Sequence, residues 1–129
     1  LSFNTQLACY HQKTGDLAKA EQGYLSILLL HPDNLQALHA LASLYALREE
    51  YGKSIACLER MLKINPQDPD VYYNIACLYA RQRNVEESIH WLKLSVDKGF
   101  RNWDLIKTDR DLDAIRTSSY VKSLTGKKN

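Results

Sequence analysis

A period of 34 residues runs through this chain and constrains its fold more than any motif or compositional share. Leu41 and Ala42 stand one period after Leu7 and Ala8 and one period before Ile75 and Ala76. Tyr45 answers His11 and Tyr79, Ser54 answers Ala20 and Ser88, Leu58 answers Tyr24 and Leu92, and Pro66 answers Pro32. A fixed period of this length marks one supersecondary unit copied along the chain. One such unit is too small to bury its own apolar face, so each copy must stack on the next.

Within a unit the spacing is helical. Leu38, Leu41, Ala42 and Tyr45 fall at i, i+3, i+4 and i+7, giving one apolar stripe, and Ile55, Leu58 and Leu62 repeat the pattern on a second helix. Ala42 and Ser54 are small, as are their counterparts, which suits the closest approach of two antiparallel helices. The punctuation predicts a helix over 2–14, with Phe3, Leu7, Ala8, Tyr10 and His11 inward, closed by Gly15. A second, over 17–30, is capped by Asp16, turns Leu17, Ala20, Tyr24, Ile27 and Leu28 inward, and stops at His31 and Pro32. The third opens at Asp33 or Asn34 and runs to Leu47; the fourth spans 51–64 and halts at Asn65 and Pro66. Asp68 followed by Pro69 opens a fifth over 69–81. Asn84 with Glu87 is a capping-box pattern opening a sixth over 85–98, which Gly99 ends.

The register then breaks, because Phe100 stands where proline stood twice before. Residues 103–124 read as short helices around 103–107, 111–116 and 118–124. Their Trp103, Leu105, Ile106, Leu112, Ile115, Tyr120, Val121 and Leu124 are spaced to cover Ile89, Leu92 and Val96 of the sixth helix. The expected organisation is a single domain over 1–129: repeats at about 1–34, 35–68 and 69–102, capping helices at 103–124, and a tail at 125–129. The start at Leu1, with no leader, reads as a fragment or processed product with further repeats open upstream.

On these positions the chain resembles the tetratricopeptide repeat, a helix–turn–helix unit of 34 residues. The resemblance implies an all-α fold, a right-handed α-α superhelix of antiparallel hairpins whose first helices line a concave groove for a polypeptide partner. The groove-facing residues so implied are Gln12, Lys13, His39, Ser43, Tyr73, Asn74, Cys77, Arg81 and Lys107. Tyr73 is the expected aromatic anchor, with its neighbour Tyr72 buried like Leu38, and Arg81 is placed to pair with an acidic group. Members that grip the C-terminal carboxylate of chaperone tails use lysine, asparagine and arginine where this chain has Thr5, Cys9, Ala40, Asp70 and Asn74. That clamp is missing, and Asp70 would repel a carboxylate.

Composition narrows the function by exclusion. With 17 basic and 15 acidic residues the net charge is only +2, which gives no strong field for nucleic acid or membrane. Cys9, Cys57 and Cys77 are odd in number and lack CxxC spacing, so they read as free thiols and favour the cytoplasm, with the bacterial periplasm left open. Histidines 11, 31, 39 and 90 have no metal-ligand spacing, and the Glu49-Glu50 and Glu86-Glu87 pairs sit at helix starts, where they complement the helix dipole. No catalytic motif occurs, and neither a cofactor nor a metal is expected. The function expected is a non-catalytic adaptor or scaffold that binds a polypeptide of unknown identity. The alternative is a self-assembling segment of a longer repeat protein, in which a second copy is the partner.

Overall fold

A computed structural model describes residues 16–126. The helix expected over 2–14, the Gly15 cap, His11, Cys9 and the end of the tail lie outside the described residues. The chain divides into two compact units, Leu1–Pro66 and Gln67–Asn129.

In the first unit the described elements are α1 (Leu17–Leu30), α2 (Leu35–Leu47) and α3 (Tyr51–Ile64). Their boundaries obey local chemistry. The Asp16 carboxylate accepts the Lys19 N–H at 3.1 Å, and the N–H of His31 closes α1 on the Ile27 carbonyl at 2.7 Å. Asn34, rather than Asp33, caps α2 by accepting from Ala37 N–H at 2.8 Å. The core is built from the register positions Ala20, Tyr24, Leu38, Leu41, Ala42, Tyr45 and Leu58, joined by Ile27, Leu44, Ile55 and Met61. Leu17 and Leu62 are only half-buried. The small residues do more than permit close approach: Ser54 Oγ donates to the Ala42 carbonyl at 2.6 Å, tying α3 to α2.

The second unit repeats this frame. It contains α4 (Pro69–Arg81), α5 (Val85–Asp97), α6 (Trp103–Thr108), a 3-10 helix (Arg110–Ile115) and α7 (Ser119–Thr125). Ser88 Oγ donates to the Ala76 carbonyl at 2.7 Å, one period on from Ser54 and Ala42. Asp68 caps α4 from Asp70 N–H at 3.0 Å and Asn84 caps α5 from Glu87 N–H at 3.4 Å. The reciprocal arm of the capping box is not made, because the Asn84 N–H is already donated to the Tyr79 carbonyl at 2.9 Å. α5 ends at Asp97, and Gly99 comes two residues later with φ 116°, a conformation that a side chain would strain.

The segment after Gly99 folds back over α4 and α5. Leu92, Ile106, Leu112, Ile115 and Val121 are completely buried together, with Phe100 and Leu124 beside them and Ile89, Trp91, Val96, Trp103 and Tyr120 packed around. Each such aliphatic side chain contributes about 1.5–3 kcal/mol by leaving water. Leu105 departs from the expectation, since it stays 37% exposed on the outer side of α6. The helix expected over 111–116 is a 3-10 helix from Arg110 to Ile115. Asp109 sets its tight start by accepting from Asp111 N–H at 2.9 Å. Arg116 then locks it to α6 by donating to the carbonyls of Ile106, Lys107 and Asp109.

Candidate functional site

The sequence-predicted site residues fall into different surroundings. Gln12 and Lys13 lie outside the described residues. In the first unit His39 and Ser43 sit one turn apart on α2, and both side chains are exposed. In the second, Asn74 is half-buried on α4, while Arg81 at the end of α4 and Lys107 on α6 are exposed.

Tyr73 and Cys77 require a correction. They stand one period after His39 and Ser43, yet they are only 4% and 6% exposed. The Tyr73 ring stacks on Phe100 with centroids 4.4 Å apart and planes 5° from parallel. Its hydroxyl donates to Asp109 Oδ2 at 2.6 Å, and the Cys77 thiol reaches the same oxygen at 3.8 Å. The segment from Phe100 to Ile115 thus occupies the α4 face on which Tyr73 was expected to be an accessible anchor. Burial, reinforced by the neighbouring charges, pushes both the Tyr73 hydroxyl and the Cys77 thiol well above their ordinary ranges. Tyr72, expected inside like Leu38, is the half-exposed member of the pair and packs on Trp91 at 5.9 Å with the Lys98 ammonium 5.9 Å above its ring.

Arg81 has an acidic partner within the chain, its Nε lying 3.7 Å from Asp111 Oδ1. Burial, together with the nearby Asp109 charge, raises the Asp111 carboxyl above its usual range, and Arg81 opposes the shift. Cys77, Asp109 and Asp111 bring their ligand atoms within 4.8 Å of one another, the geometry of a partial metal site. Asp109 Oδ2 already accepts from the Tyr73 hydroxyl and the Cys77 thiol, and that thiol is held protonated, so the cluster works as a hydrogen-bonded lock between α4 and the 3-10 helix.

A cleft of about 500 Å³ opens beside this lock. One wall is α4, with Asp70, Tyr73 and Asn74; the other is the 99–102 turn with Leu105 and Asp109. Among the described residues the Asn74 amide has no side-chain hydrogen bond, so its donors and acceptor face the cleft unspent. Arg101 beside it is committed, donating to the Val96 and Phe100 carbonyls at 2.8 Å each and lying 5.8 Å over the Trp103 ring. Phe100, Asp109 and Leu105 are site residues that sequence reasoning missed. The available signal was Arg81 in search of a carboxylate, with three aspartates clustered at 109–113.

In the first unit, polar contacts knit α1 to α2. Glu21 accepts from the Tyr45 hydroxyl at 3.0 Å and from Arg48 Nη1 at 2.7 Å. The Arg48 hydrogen bond holds the Glu21 carboxyl below its usual range, and burial with the bond to Glu21 pushes the Tyr45 hydroxyl up to about 12.

Paired helices joined by a serine-to-carbonyl bond at two successive periods define a helical-hairpin repeat protein. Comparison with known proteins agrees. Families described as TPR repeat and tetratricopeptide repeat match residues 42–82 and 69–97. Residues 42–97 thus match tetratricopeptide-repeat models. The chain is 27% identical over 88 residues to a TPR repeat-containing protein of Pseudomonas aeruginosa, a match covering 67% of this chain and 15% of that protein. It is 31% identical over 72 residues to the protein O-mannosyl-transferase Tmtc3 of Drosophila melanogaster, covering 56% of this chain and 8% of the transferase. The chain therefore spans a small part of the curated relatives it matches. Among solved structures, MamA RS-1 superposes with a TM-score of 0.76 at 18% identity over 95% of this chain and 68% of that one. MamA AMB-1 gives 0.71 at 17% identity, covering 95% and 64%. An O-GlcNAc transferase mutant of Thermobaculum terrenum gives 0.66 at 24% identity, covering 81% and 20%. These likenesses establish the all-α repeat fold and nothing of the chemistry.

Proposed function

We propose that the chain is a non-catalytic protein-interaction module that takes a polypeptide segment along the first helices of its hairpins. Repeats of this family mediate protein–protein contact, and the observation that carries the reading here is Asn74. Its amide stands half-buried and without a side-chain hydrogen bond among the described residues, in a cleft with exposed Leu105 opposite and polar Asp70 beside it. An amide of this kind satisfies a backbone N–H and C=O of an extended chain, and Leu105 supplies apolar area. His39 and Ser43 offer an equivalent exposed polar face on α2. Arg81 is excluded as a free anchor, being already opposed by Asp111. A non-catalytic role is supported by Tyr73 and Cys77, the nucleophile types beside this cleft, being buried and held protonated. Buried Cys57 and Cys77 thiols favour the cytoplasm, and among the described residues no helix is long and apolar enough to cross a membrane. The small net charge argues against nucleic acid as the ligand.

The test is to recover the partner from the native host by crosslinking at the α4 face, then to titrate it against Asn74→Ala and Leu105→Ala. Each variant should weaken binding about tenfold or more, a loss of about 1.4 kcal/mol or more. Parent affinity in both variants would remove the cleft from the interface.

One observation favours the alternative of self-assembly. Leu25, Leu29 and Leu30 of α1 are 46%, 84% and 71% exposed, and one period on the same positions carry Glu59, Lys63 and Ile64. An apolar strip where a later repeat is charged suits contact with a second copy. Concentration-dependent mass that disappears in Leu29→Lys would establish it; a constant monomer mass would dismiss it.

A further inference from the structure

A second cleft in the Gln67–Asn129 unit, about 250 Å³ in volume, lies between the C-terminal end of α4 and the 3-10 helix. Arg81, Arg83, Arg110, Asp111 and Asp113 supply its charged lining. Both carboxylates already face a cation: Asp111 lies 3.7 Å from Arg81, and Asp113 lies 3.4 Å from Arg116. Arg83 and Arg110 have no carboxylate partner among the described residues. Two arginines without a carboxylate partner, one in the α4–α5 turn and one on the 3-10 helix, therefore line one small cavity.

The backbone adds an independent observation. Arg83 has φ 61°, the left-handed region, and so does its register counterpart Glu49 at 63°, while Gly15 stands at the same position one period earlier. The turn is a property of the repeat, and glycine meets it without strain. An arginine here is a departure that the turn does not require and that brings a guanidinium to the cleft.

We propose that this cleft binds one phosphate-type oxyanion, held by Arg83 and Arg110. Each guanidinium presents a planar fork that matches one O–O edge of an anion. A carboxylate has a single such edge, whereas a tetrahedral dianion offers an edge to each fork. The cleft, about 250 Å³ in volume, admits such a group. The group is either inorganic phosphate or the phosphorylated side chain of a polypeptide, and the two sources share this chemistry.

The experiment is a titration of the full chain, at constant ionic strength, with inorganic phosphate and in parallel with a short phosphoserine peptide, monitored through the arginine side-chain resonances. Saturable shifts at Arg83 and Arg110 are expected, with affinity reduced at least tenfold in Arg83→Gly and in Arg110→Gln. Arg83→Gly also relieves the left-handed strain, so its thermal midpoint should equal or exceed that of the parent, and the lost binding cannot be ascribed to misfolding. Tighter binding of the peptide than of phosphate assigns a partner-borne group, and equal or weaker binding assigns the free anion. The inference does not rest on the Asn74 cleft, since Asn74→Ala should leave phosphate affinity unchanged. It is overturned if neither probe gives a saturable shift, or if both arginine variants retain the parent affinity.

Discussion

Two hairpins of this chain share one frame and use it differently. α2 with α3 and α4 with α5 are each tied by a serine donating to an alanine carbonyl, at 2.6 and 2.7 Å. The same positions of their first helices nevertheless meet opposite fates: His39 and Ser43 are exposed, whereas Tyr73 and Cys77 are sealed. The difference lies outside the hairpin, in the 100–115 segment that stacks Phe100 on Tyr73 and places Asp109 over its hydroxyl. A repeat's internal geometry is thus written into its own residues, but the accessibility of its ligand-side face is decided by the segment next to it in the chain.

The largest expected effect comes from removing that cover. Deleting residues 103–129 should expose Leu92 and strip Asp109 from the Tyr73 hydroxyl, abolish cooperative unfolding of the second unit and cause aggregation, read by light scattering and a thermal scan. A monomeric truncation with the parent's midpoint would break the comparison outright. Next in size is Leu112→Ala, which should cost about 2–5 kcal/mol in denaturant unfolding, as expected for a fully buried leucine. Ala42→Phe should overpack the α2–α3 contact and cost roughly 1–3 kcal/mol by the same measure.

Tyr73→Phe sharpens the contrast. It keeps the stack on Phe100 but strips a partner from the half-buried Asp109 carboxylate, so it should cost about 1–3 kcal/mol. His39→Phe at the equivalent exposed position should stay within about 0.5 kcal/mol of the parent.

The smallest effects concern pH. The Glu21 carboxyl is lowered on folding, chiefly by Arg48, so its contribution is complete above its ordinary range and fades as pH falls through the lowered value. Glu21→Gln should therefore lower the midpoint at neutral pH and flatten the acid limb of the stability curve. Asp111 has the opposite sign. Its folded value is raised by burial, so the group costs stability as pH rises past the ordinary carboxylate range, and acidification relieves that cost.

The helical frame was legible because its determinants are local: Asp16, Asn34, Asp68 and Asn84 each cap the helix they precede, and Ala42 and Ser54 announce the closest contact by size. Smallness did not reveal the hydroxyl-to-carbonyl bond, which needs the partner helix in place. Tyr72 and Tyr73 were inverted because adjacent helical positions point to adjoining faces, and only the fold-back of a non-repeating segment determines which face is covered. The 3-10 geometry at 110–115 was likewise hidden, as it depends on Arg116 drawing together three carbonyls that are distant neighbours in sequence.

The claim that one register position serves two ends is most directly measured by thiol reactivity. Ser43→Cys places a thiol one period before Cys77, and both can be tracked in one protein by site-resolved mass spectrometry during labelling with a maleimide. The introduced thiol should react at the rate of an exposed cysteine, while Cys77, buried and held protonated beside Asp109, should react at least roughly a hundredfold more slowly under native conditions. Equal rates at the two positions would contradict the account, because the cap would then leave the α4 face as open as that of α2.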